Sequence, residues 1–292
     1  MNKTFIFSKE HNYEKLLIFS IIPLVLYGLY KNAYLLVSNN YLSSFDGYKI
    51  ILYPIISLLI TFIFTKVFKK KKREMIYFGI AASLAAPFKM NMIIFFLIFT
   101  LFMYLVYIIP NKYKINLVAL FIILLVVLCH FLNSSLIFNS MELTDNYKFT
   151  LLDLFFGRGA SFLFTSSIFY LLISYFILSF VKTYKKNVFL ISSFVFILFA
   201  IGYMIINKNY TESFKILFNG TTFYSFIFLA PLSDSSPSIN IELTIYSVLV
   251  GLLSFILVFL FNIYTGSVLS VLILSIIYRI YTIIRQKIFL EK

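Results

Sequence analysis

Apolar runs of about twenty residues recur from position 16 to position 284, separated by short polar stretches, and they leave few folds open to this chain. A helix rising 1.5 Å per residue needs roughly 20 apolar residues to cross about 30 Å of hydrocarbon. In that medium every backbone N–H and C=O must be satisfied inside the protein, so only helices and closed barrels span it. A barrel would show short alternating strands, whereas these runs are continuous. Composition agrees, with 61% hydrophobic and 12% charged residues and a mean hydropathy of +0.96. The chain reads as an all-α, multi-pass integral protein of the cell membrane, with the lipid bilayer as its first partner.

The formal net charge of +14 invites a nucleic-acid reading, which the placement of the charges excludes. Basic residues cluster where apolar runs end: Lys3, Lys9 and Lys15; Lys66 and Lys69 to Arg73; Lys112 and Lys114; Lys182, Lys185 and Lys186; Arg279, Arg285, Lys287 and Lys292. Positive-inside bias explains them, puts both termini in the cytoplasm and puts 38–47, 138–150 and 207–216 outside. The first 14 residues are polar and no small-residue cleavage site follows, so no cleavable signal is expected. The single cysteine, Cys129, excludes an internal disulfide and a cysteine-ligated metal centre.

Ten segments result, at about 16–37, 49–68, 75–87, 91–109, 115–137, 151–181, 188–206, 218–231, 243–263 and 267–284. The sixth is too long for one straight crossing, and Gly157 and Gly159 are the expected break. The third and eighth are too short to cross. Each stops at the same dipeptide, Ala86-Pro87 and Ala230-Pro231. Short interrupted helices at corresponding places in the two halves of a chain point to an internal repeat with its site between them. The expectation is one membrane domain built as two inverted five-helix repeats, about 16–137 and 151–284.

No phosphate-cradling glycine loop, metal-binding HExxH or nucleophile elbow is present. Ionisable groups at membrane depth are functional candidates, and the reading selects Lys89, Asp153, Arg158 and Asp234. Lys89 and Asp234 fall just past the two proline breaks, so Pro87, Lys89, Pro231, Asp234 and Ser236 form a candidate ion path. Ser83, Thr221, Thr222 and Ser225 lie close enough in sequence to serve the carbonyls freed at the breaks. Asp153 and Arg158 are spaced to pair. His130 reads either as a proton relay or cofactor contact, or as a neutral histidine bonded to a neighbouring helix.

Two stretches, FTLLDLFFGRG at 149–159 and FLAPLSDSSP at 228–237, carry a resemblance to a known family. The first is similar to the Leu-Asp-Leu-Phe-x-Gly segment, and the second to the Phe-Met-Ala-Thr-Asp-Pro-x-x-Ser-Pro signature, matching at Phe228, Ala230, Ser236 and Pro237, of the RnfD/NqrB family, integral membrane subunits of ion-translocating flavin electron-transport complexes. NKYKINLVALF at 111–121 resembles its Asn-containing segment, and Gly251 to Gly266 keep its glycine spacing. The resemblance covers most of the chain. It implies a two-fold inverted five-helix repeat, a flavin (FMN or riboflavin), partner membrane subunits and coupling of electron transfer to ion movement.

The departures bear on the cofactor. Family members esterify FMN to a Thr in Ser-Gly-Ala-Thr. Here NSMELTDNYKFT at 139–150 offers Thr144 and Thr150 without the small context, so covalent FMN is not expected. Thr144, Thr150, Asp153 and Arg158 remain the cofactor-side candidates that the resemblance implies. The Thr-Asp after Ala230 is Pro231-Leu232, the Gly-Glu-Thr-Ser stretch is GRGAS at 157–161, and late Asn and Pro positions are Ser275 and Arg279. A transporter or channel with its site between the two broken helices, and a structural subunit without cofactor, are the alternatives. The chain alone is not expected to be an enzyme.

Overall fold

The computed structural model describes residues 3–39, 42–68, 72–87, 90–108, 115–132, 150–159, 161–232 and 235–290. Among them the protein is all-helical, and five helices are long and apolar enough to cross a membrane: Lys15–Ser38, Ser44–Val67, Lys186–Asn207, Asn240–Leu260 and Gly266–Gln286. Four shorter apolar helices join them: Met75–Leu84, Met92–Ile108, Leu117–Phe131 and Ile168–Ser179.

The helices in chain order are α1 (Lys3–Leu29), continued through a π-helical turn at Tyr30–Tyr34 into α2 (Leu35–Ser38), then α3 (Ser44–Val67), α4 (Lys72–Leu84) and α5 (Met92–Ile108). They are followed by α6 (Leu117–Phe131), α7 (Leu151–Phe155), α8 (Ile168–Ser179), α9 (Lys186–Asn207) and α10 (Tyr210–Leu217). Next, α11 (Gly220–Tyr224) runs into a π turn at Ser225–Leu229. Then α12 (Asn240–Phe255) runs into a π turn at Ile256–Leu260, and α13 (Gly266–Leu290) closes the chain.

Two compact units divide the chain, Met1–Ile108 with Leu124–Lys182, and Ile109–Ile123 with Thr183–Lys292. In the first, α1 packs on α8, and α4 packs on α3 and α5. Lipid tails are as apolar as leucine, so close backbone approach rather than hydrophobicity favours such pairs. The fully buried Ala81, Ala82, Ala85 and Ala86 and the close approach at Gly79 supply it for α4. A Cβ at Gly79 would collide with the Thr61 side chain of α3. In the second unit α12 packs on α9 and α13, and the π turn at Ser225–Leu229 packs on both α9 and α13. Gly251 lets α12 approach α9, where a Cβ would stand 2.5 Å from Ser192 O.

The elements differ from the expected segments in three places. The expected 151–181 helix is a one-turn helix, α7, then irregular backbone over 156–159 and 161–167, then α8. The break is longer than two glycines suggest because Gly157 sits at φ +93°, packed against the Ser167 backbone, and turns the chain out of the helix. The stretch 208–215, read as a loop, contains helix α10. Its charged residues line one face while Leu217 is buried, and Lys208 at φ 54° ends α9 just before it. The eighth segment is only five α-helical residues and then a π turn, all buried.

Candidate functional site

The two proline breaks have different surroundings. In the second unit, Pro231 lacks the N–H that would bond Ile227 O one turn back. Tyr184 Oη donates to Ile227 O instead, at 2.9 Å. Leu229 O, left over as the helix stops, accepts from Asn116 Nδ2 at 2.9 Å. Asn116 is fully buried and fully engaged. Its Nδ2 also reaches Ser235 Oγ at 3.3 Å, its Oδ1 accepts from Ala119 N–H at 3.0 Å, and its own N–H donates to Ser275 Oγ at 3.3 Å. Lys185 Nζ donates to Ser236 O and Ser236 Oγ, at 2.9 and 2.7 Å. Ser236 Oγ in turn donates to Leu232 O at 2.7 Å. Pro231 and Ser236 are therefore buried parts of a closed hydrogen-bonded knot.

The residues expected to serve the breaks do so less than these. Ser83 Oγ and Ser225 Oγ each donate to a carbonyl three residues back in their own helix, Ile80 O and Thr222 O. Thr221 Oγ1 and Thr222 Oγ1 are buried with no partner among the described residues. Lys89 and Asp234 lie outside the described residues, and so does Thr144.

In the first unit the helix ending at Leu84 runs on through buried Ala85, Ala86 and Pro87. Ala86 O accepts from Leu163 N–H at 3.3 Å, and Tyr53 Oη donates to Met90 O at 2.9 Å. Leu163 belongs to the irregular stretch 161–167, and that stretch meets the π turn of α1. Gly28 allows the approach, since a Cβ there would stand 2.6 Å from Leu163 O. Asn32 Nδ2 donates to Leu163 O at 2.6 Å, and Lys31 Nζ donates to Gly159 O at 2.7 Å.

Lys31 and Asn32 are each 1% exposed, inside the apolar run Lys15–Ser38. The inserted residue of the π turn, which often marks a functional place in a helix, helps turn Lys31, Asn32 and Ala33 inward. Among the described residues no carboxylate lies within ion-pairing distance of Lys31. Asn32 Oδ1, and Thr165 Oγ1 and Ser166 Oγ of the stretch that Asn32 meets, are buried without partners among the described residues. Reading the chain by apolar runs passes over Lys31, because one cation and one amide do not interrupt the run. The signal that finds them is a Lys-Asn pair well inside an apolar segment.

Thr150, Asp153 and Arg158 do come together, at the start of α7. Thr150 Oγ1 caps the helix, accepting from Asp153 N–H at 3.2 Å and donating to Asp153 Oδ2 at 2.8 Å. Asp153 Oδ2 accepts from Thr150 N–H at 3.1 Å, which completes a capping box. Arg158 Nη1 donates to Asp153 Oδ1 at 2.6 Å. Partial desolvation pushes the Asp153 carboxyl up. The Thr150 hydrogen bonds and the Arg158 guanidinium outweigh it and leave the carboxyl below its ordinary value. His130 is exposed at the end of α6, beside buried Cys129.

No protein-family model matches the chain, and no curated protein matches it. Among the described residues no group of three His, Cys, Asp or Glu side chains could hold a metal ion.

Proposed function

We propose that this chain is a divergent RnfD/NqrB-like membrane subunit of an electron-transport assembly, one that couples flavin-mediated electron transfer to ion movement. The observation that supports this reading best is the knot around Asn116. The resemblance rests on stretches far apart in sequence, among them 111–121 and 228–237. Asn116 of the first donates to Leu229 O and Ser235 Oγ of the second, and its N–H also donates to Ser275 Oγ, a position at which the chain departs from the family. Two of the resembling stretches thus meet at one buried asparagine. Gly251 and Gly266, the two glycines of the resemblance, are both positions where a Cβ would strike a neighbour, Ser192 O at 2.5 Å and Leu257 Cβ at 2.6 Å.

In this reading the ten segments form two inverted five-segment repeats, and Ala86-Pro87 and Ala230-Pro231 end the two half-helices. Partner subunits supply the electron donor and acceptor. The flavin chemistry belongs to the cofactor, and this chain positions it and supplies a charged path. The Thr150 hydroxyl is engaged in the capping box of α7, which favours a non-covalently held flavin over an ester at Thr150. The membrane is the cell membrane, with both termini cytoplasmic. A second reading, a transporter or channel for a small solute or cation, is favoured by one observation, the buried Lys31 at the π turn of a spanning helix, with no carboxylate within ion-pairing distance among the described residues.

Gentle purification from native membranes by a C-terminal tag separates the two. The first reading expects further membrane subunits and flavin absorbance that is lost on denaturation. A chain that runs alone and colourless from native membranes sinks it. A fluorescent band that survives denaturation and disappears in Thr144→Ala or Thr150→Ala would overturn the expectation of non-covalent flavin.

A further inference from the structure

We propose that Lys31 anchors a buried binding site for a small monovalent anion in the first unit, where the π turn at Tyr30–Tyr34 meets the irregular backbone over 156–159 and 161–167. This goes beyond the electron-transport reading and does not depend on it. The argument starts from charge. An ammonium removed from water is costly unless an opposite charge or a full set of acceptors replaces its hydration. Lys31 Nζ has three N–H donors, and its one acceptor among the described residues is Gly159 O at 2.7 Å. The charged groups nearest in sequence to that segment, Asp153 and Arg158, pair with each other at 2.6 Å. On α3, Asp46 pairs with Lys49 at 2.7 Å. Neither carboxylate is within ion-pairing distance of Lys31.

Neutral groups of the same two segments are left without partners as well. Thr165 Oγ1 and Ser166 Oγ are buried hydroxyls with no partner among the described residues. Each has an O–H to donate. Asn32 Oδ1 is a buried acceptor with no donor among the described residues, because the amide's Nδ2 is turned to Leu163 O. An anion that arrives with a water molecule, or with its own O–H, satisfies the ammonium and that acceptor together. Packing leaves room beside the lysine's acceptor. A Cβ at Gly159 would meet only Leu154 Cδ2, at 3.4 Å, among the described residues, whereas Gly28 and Gly157 are hard against backbone. Lys31 is 1% exposed, and Gly159, whose carbonyl it meets, is half-buried, so the space beside that glycine is the way in. Chloride, formate and bicarbonate share the chemistry that the site selects, one negative charge on a compact acceptor.

The test uses the purified full chain in detergent. Cys129 is the chain's only cysteine and is 2% exposed, so a thiol-reactive fluorophore reports thermal unfolding. Sodium chloride, formate and bicarbonate are titrated against sodium gluconate at constant ionic strength. At least one should raise the wild-type midpoint saturably, by on the order of 5 °C at a hundredfold Kd. Lys31→Met should lose the response, while Lys182→Met, at an exposed lysine, keeps it. Gly159→Val, which fills the space and leaves Lys31 in place, should weaken the response; it also serves if Lys31→Met does not fold. The anion that acts identifies the source. A wild-type midpoint indifferent to all three anions, or a Lys31→Met midpoint that rises as much as wild type, overturns the proposal.

Discussion

Replacing Asn116 with Ala tests whether the second proline break is held by side chains from distant segments. The substitution removes three side-chain hydrogen bonds, to Leu229 O, Ser235 Oγ and Ala119 N–H, at 2.9, 3.3 and 3.0 Å. It keeps the backbone bond to Ser275 Oγ. A hydrogen bond between membrane helices averages about 0.6 kcal/mol, and one in a soluble core about 1 kcal/mol. Three of them give about 2 to 3 kcal/mol. Leu229 O keeps the Leu232 N–H, at 3.3 Å, so no penalty for an unpaired carbonyl is added. The total is roughly 2 to 3 kcal/mol, or a fall in Tm on the order of 4 to 9 °C for a chain of this size. Ser275→Ala loses one acceptor and should cost about a third as much. Thermal unfolding followed by circular dichroism and by Cys129 reactivity measures both. An Asn116→Ala protein that melts within about 1 °C of wild type refutes the reasoning, because the three side-chain bonds would then contribute nothing.

Three further outcomes follow from the same geometry. Asp153 has a carboxyl held below its ordinary value, so its stabilising contribution is complete above the unfolded value of about 3.9 and is lost as pH falls through the lower folded value. Asp153→Asn should flatten that acid limb of the stability profile, and an unchanged limb contradicts the capping-box account. Gly251→Val places side-chain atoms where even a Cβ is 2.5 Å from Ser192 O, so α12 must back away from α9 and the melting point should fall by several degrees or the protein fail to accumulate, whereas Gly202→Ala, with nothing within 4 Å, should be silent. For topology, with Cys129 replaced, an impermeant thiol reagent on intact cells should label Asn39→Cys and spare Lys71→Cys; the reverse pattern inverts the assigned orientation.

Much of the fold follows from local chemistry along the chain, and the sequence by itself determines that part. Apolar runs of bilayer length force helices because an unpaired peptide group in hydrocarbon costs several kcal/mol, and that holds whatever the helices touch. The stops at Ala86-Pro87 and Ala230-Pro231 follow from a missing N–H and a ring clash, which are equally local. The Asp153–Arg158 pair was within reach for the same reason, since five residues and a capping threonine set its geometry. What the tertiary structure decided is how the freed groups are satisfied. Tyr184 and Asn116 serve carbonyls 43 and 113 residues away, and no pattern along the chain connects them. Lys31 shows the same limit from the other side. A lysine in an apolar run costs little if it reaches the interface and much if it is enclosed. Only the π turn, the approach at Gly28 and the carbonyl of Gly159, 128 residues on, determine that it is enclosed.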